Sequence, residues 1–74
     1  MRLEINTNGA WRVVSTIDPD HLRQVMDTVQ TLAAFLPHDP AWKITDGHAH
    51  GRNGAHLVAI LDPLLHGLVW QERK

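Results

Sequence analysis

Cysteine is absent from this chain of 74 residues, which excludes disulfide bonds and every thiolate metal site. Neither charge is in excess: seven Lys and Arg stand against eight Asp and Glu, a formal −1. The basic stripe of a nucleic-acid-binding domain is missing, its nearest approach being Arg73-Lys74. No apolar run approaches the ~20 residues of a membrane span, so neither nucleic acid nor membrane is expected as a partner. The opening Met1-Arg2-Leu3-Glu4-Ile5 lacks the apolar centre of a signal peptide, which predicts a cytoplasmic protein.

Catalytic signals are equally sparse. Ser15 is the one serine; it lies in a β-like run with no neighbouring histidine, and nothing like G-x-S-x-G presents it. The carboxylates offer no pair that can be placed together for acid–base work. Gly51-Arg52-Asn53-Gly54 lies between strands, without the following helix that a phosphate loop needs. A chain this short also has little room for a deep pocket of the usual ~300–1,000 Å³. No enzyme activity is expected.

What is present starts with one strong helix, Asp18 to Leu36. Its apolar residues Leu22, Val25, Met26, Val29, Leu32, Ala33 and Leu36 fall on one stripe of a 3.6-residue period. Asp18 suits the N-cap, Pro19 the first helical position, and Asp20 the positive end of the dipole. Pro37 stops the helix, and Arg23 and Asp27 are spaced for an i,i+4 pair.

Either side of it the chain reads as antiparallel strands. Leu3–Ile5 and Trp11–Ile17 flank Thr7-Asn8-Gly9, a hairpin signature. A three-residue loop sets Glu4 opposite Arg12 and keeps Arg12 out of the core. The inner face is then Leu3, Ile5, Trp11, Val13 and Ile17. After the turn Pro37-His38-Asp39-Pro40, Trp42–His50 and Ala55–Asp62 form a second hairpin about Arg52-Asn53-Gly54. The same loop pairs His50 with His56 and Ala49 with Leu57. Leu57, Ala59 and Leu61 then share a face with Ala49 and Gly47, small enough to admit the helix closely. Asp62-Pro63 breaks the strand, Leu64–Trp70 forms a last one with Gly67 as a bulge, and Gln71 to Lys74 is a solvated tail. The expected architecture over residues 1–74 is a single small α+β domain, ββαβββ: an antiparallel sheet of about five strands with one helix on one face.

A single helix covers one side only. Val14, Val58 and Ile60, with Ile44 and the tryptophans Trp42 and Trp70, are the candidates for an uncovered apolar, partner-binding strip; if the registers are shifted they lie in the core instead. Trp11 is assigned to the core. The leading expectation is a non-enzymatic protein-interaction module, an inhibitor, regulator or accessory protein acting through a sheet face or edge and forming a homodimer or other homo-oligomer. Its size and cysteine-free composition suit the accessory proteins of phages and mobile elements.

The alternative rests on six histidines. Asp46, His48 and His50 alternate on one strand face, and the chosen register brings His56 beside them. Imidazoles with a carboxylate suit Zn or Ni, so this cluster is the candidate for a metal-binding or pH-responsive domain; an exposed polar hairpin explains the same residues. His21 and His38 are expected in solvent, and His66 partly buried. The leading reading needs no cofactor.

Overall fold

The computed structural model describes residues 1–47 and 56–72. Five strands, β1 (Arg2–Thr7), β2 (Ala10–Thr16), β3 (Trp42–Thr45), β4 (Leu57–Leu61) and β5 (Gln71–Glu72), form one antiparallel sheet in the order β2-β1-β3-β4-β5. The expected α+β class holds: one main helix packs on one face. A 3₁₀ turn at Pro19–His21 leads into that helix, α1 (Leu22–Ala33). Asp18 does cap this start, its Oδ1 accepting from the Asp20 amide at 3.0 Å. The helix stops three residues short of Leu36. The apolar stripe docks as its spacing predicts, with Met26, Val29 and Ala33 buried and Leu22, Val25 and Leu36 packed at the margin. Leu32, at the edge of the stripe, is exposed.

The helix sits over the middle of the sheet. Its partners in the core are Leu3 of β1, Trp42 and Ile44 of β3, and Ala59 and Leu61 of β4, with Ile17 from the end of β2. These residues are in register across the strands (Leu3↔Ile44↔Ala59, Ile5↔Trp42↔Leu61), so they share one face. The small residue beneath the helix is Ala59, which is wholly buried.

The first hairpin turns differently from expectation. Asn8 (φ 54°) and Gly9 (φ 83°) are both left-handed, the two-residue turn that suits the twist of a hairpin. Thr7 pairs with Ala10, Asn6 with Trp11, Ile5 with Arg12 and Glu4 with Val13. The three-residue loop and the Glu4–Arg12 pair are therefore corrected. So is the assignment of Trp11 and Val13 to the inner face: they lie on the face away from the helix. Arg12 takes the helix side in this register without being buried, because β2 is an edge strand outside the helix's footprint. A bulge then resets the phase, Leu3 pairing with Ser15 so that Val14 is the extra residue. Ile17, five residues beyond Arg12, thereby still reaches the core. There its amide donates to the Met1 carbonyl at 2.7 Å.

The second hairpin pairs in a different register from the expected one, and its expected loop Arg52-Asn53-Gly54 lies outside the described residues. Strand β3 ends at Thr45, and Leu57 pairs with Thr45 rather than Ala49, after a bulge that leaves Val58 unpaired. Beyond β4, Pro63–His66 is one helical turn, α2, in place of a strand. Asp62 accepts from the amides of Leu64 (3.2 Å) and Leu65 (3.4 Å), and Pro63 takes the first helical position. The dipeptide expected to break a strand also starts a helix. His66 is exposed rather than partly buried. Gln71 and Glu72 are exposed, but they are a strand rather than a tail, pairing with Ile60 and Ala59 as β5. Glu72 also takes Arg23 at 3.0 Å in place of the expected Arg23–Asp27 pair. The segment before β5 is held on α1 by Gln30 Nε2 donating to the Leu68 carbonyl (2.6 Å) and Trp70 Nε1 donating to the Met26 carbonyl (2.9 Å). Among the described residues, no helix is long and apolar enough to cross a membrane.

Candidate functional site

The two edges of the sheet are built unlike each other. On one side β5 is two residues long, its Glu72 tied to Arg23. On the other β2 runs for seven residues, every one exposed. Native proteins blunt sheet edges with short strands, lysines or proline, because an open row of N–H and C=O groups is a template for another strand. The β2 sequence Ala-Trp-Arg-Val-Val-Ser-Thr has one charge and three large apolar residues. Trp11 is 36% exposed, Val13 54% and Val14 51%.

The sheet registers show which main-chain groups are open. The Asn6 amide donates to the Ala41 carbonyl at 2.8 Å, so Asn6 turns its peptide groups toward β3. Alternation along β1 turns Ile5 and Thr7 toward β2, and with them their partners Arg12 and Ala10 toward β1. Trp11 and Val13 are left with N–H and C=O directed away from the sheet. Their side chains stand on the face opposite the helix, where the Lys43 ammonium lies 4.4 Å from the centroid of the Trp11 ring. Arg12 stands on the helix side, its Nε donating to Thr7 Oγ1 at 3.0 Å.

Of the six residues expected in an uncovered apolar strip, Val14 alone is openly exposed. Trp42 (4%) and Ile44 (0%) are core residues, placed there because β3 is the central strand directly beneath α1. Val58 and Trp70 are half-buried and pack against the core, and Ile60 is half-buried on the open face beside Lys43. The middle of that face is polar, with Arg2, Glu4, Lys43 and Thr45 in register and Thr45 Oγ1 donating to Glu4 Oε2 at 3.4 Å. Apolar exposure lies instead at β2, at Leu64 (74%) and Leu65 (76%) of α2, and at Leu32, Phe35 (81%) and Val69. Phe35 lies beyond the last turn of α1, outside the buried arc of the stripe. Leu64 and Leu65 project because a helical turn forms where a strand is expected.

Of the histidine cluster, His48 and His50 lie outside the described residues. Asp46 and His56 are brought together, but as a clasp at the neck of the second hairpin. The Asp46 amide donates to the His56 carbonyl at 3.0 Å, and the His56 amide donates to Asp46 Oδ1 at 3.2 Å. The other carboxylate oxygen lies 4.0 Å from His56 Nδ1. This carboxylate closes the hairpin. Among the described residues no three His, Asp or Glu gather as a metal would need. Ser15 Oγ donates to the Thr16 carbonyl at 3.1 Å and faces no histidine among the described residues.

The described residues also leave an open surface cleft. It measures about 530 Å³ and opens between the first hairpin turn, the turn before β3 and the start of α2. Asn8, His38 and Asp39, the three non-glycine residues with left-handed backbone among those described, all line it. Its other carboxylate, Asp62, caps α2. Comparison of the chain with protein-family models, with curated proteins and with solved structures finds no match.

Proposed function

We propose that this chain is a small non-enzymatic protein-interaction module that acts by presenting the β2 edge to a strand of another polypeptide. The observation that carries this reading is the long, wholly exposed β2, with the peptide groups of Trp11 and Val13 directed outward and Trp11, Val13 and Val14 at the surface. Addition of a strand there supplies main-chain hydrogen bonds, while the alternating side chains supply selectivity. The polar centre of the open sheet face and the engagement of Asp46 in the hairpin neck both favour the edge over the face or a histidine site.

Val13→Pro tests this. Proline removes a donor that points away from β1, so the pairing of β2 with β1 keeps its bonds while the outer ladder loses one. Val13→Lys is the companion variant, guarding the edge by charge alone. Both are expected to abolish association, whether with a second copy in sedimentation or with a captured partner, while the circular dichroism spectrum stays that of the parent. Unchanged association in both variants refutes the edge reading.

A further inference from the structure

We infer that the strand fitting β2 belongs to another protein and carries a carboxylate opposite Arg12 between apolar residues opposite Trp11 and Val13. This rests on the edge reading and names its partner. A second copy is the obvious rival, and the registers weigh against it. A symmetric antiparallel pairing that uses both outward-facing residues must exchange Trp11 with Val13 of the copy. Its dyad then passes through Arg12, setting the two guanidinium groups on the same face as a non-hydrogen-bonded pair, with Cα atoms only about 4.5 Å apart. Like charges placed so are destabilising.

The other dyads use less of the edge. One through Trp11 sets Val13 against Gly9, which belongs to the turn (φ 83°). One through Val13 sets Trp11 against Ser15, which lies past the bulge and turns its peptide groups to Leu3. Each leaves a single ladder pair. A foreign strand meets no such conflict. Arg12 is the one charge on β2. Its side chain is exposed on the helix side of β2, with its Nε donating to Thr7 Oγ1 at 3.0 Å. A carboxylate there accepts a charge-assisted pair. On the other face, valine or a similar residue on the partner covers Trp11 and Val13.

The experiment is amide hydrogen exchange by NMR on the labelled full chain, with two probe peptides. One is a nonapeptide of alternating threonine and valine with glutamate at its centre; the other has lysine there. The glutamate probe is expected to slow exchange of the Trp11 and Val13 amides at least about tenfold more than the lysine probe does, the order expected for a charge-assisted hydrogen bond. Arg12→Glu reverses the preference and Arg12→Gln removes it; Arg12 is exposed, so both variants keep the parent spectrum elsewhere. Equal protection by both probes overturns the carboxylate assignment while leaving the edge reading intact. Protection without a probe that grows with protein concentration identifies a second copy, and overturns the inference in the same limited way. No protection under any condition overturns both.

Discussion

For single residues, exposure decides meaning. Ile44 is a candidate for partner contact by its place in the sequence, yet it is wholly buried. Removing a buried aliphatic side chain loses its transfer free energy and leaves a cavity, about 2–5 kcal/mol for Ile→Ala. In a small domain that is a large part of total stability. Ile44→Ala is therefore expected to lower the urea midpoint sharply or to leave the chain unfolded, as read by tryptophan fluorescence; a midpoint equal to the parent's would restore Ile44 to the surface. Arg12 is the converse case. Its charge alone suggests that it must be kept off the helix side of the sheet. It stands there and remains exposed, because nothing covers β2.

Among the elements, local chemistry is legible where a residue type meets one backbone need. Asp18 before Pro19 starts the helix within a few residues, and Asn8-Gly9 marks where the hairpin turns without fixing the length of its loop. Asp62-Pro63 carries the same start signal as Asp18-Pro19, and α2 follows it, but a single turn holds too few residues to show a helical period. Asp62→Ala deletes the acceptor for two free amides and is expected to cost about 0.5–2 kcal/mol. The check is chemical denaturation together with loss of protection at the Leu65 and His66 amides. A stability loss without that local signal would place the role of Asp62 elsewhere, in the cleft it lines.

For the whole molecule, the question is what holds the helix on the sheet. Arg23 and Glu72 join α1 to the last strand at 3.0 Å, but their side chains are 70% and 47% exposed. Exposed pairs contribute little, and salt screens them. Glu72→Gln is thus expected to lower stability by under about 1 kcal/mol, with the difference vanishing at high salt. A larger, salt-insensitive loss would show that β5 depends on that carboxylate in another way. The larger contribution comes from apolar burial of Met26, Val29 and Ala33 against Leu3, Ile44, Ala59 and Leu61. Such an arrangement protects the middle of the sheet and leaves β2 exposed.

Periodicity and turn chemistry act over a few residues, and they were enough to settle the helix, its apolar stripe and its cap. They also indicated antiparallel pairing of β1 with β2 and of β3 with β4, and so the α+β class, though not the registers, and composition ruled out any disulfide. The assembled sheet was needed to make β3 central and β2 an edge, to turn Trp11 away from the core while Trp42 lies within it, and to pair Gln71 and Glu72 as a strand. An alternating strand has two equivalent faces, and a single inserted residue exchanges them. Which face is covered, and which edge is left open, depends on where the helix comes to rest across the sheet, and that position is set by contacts between residues far apart in the chain.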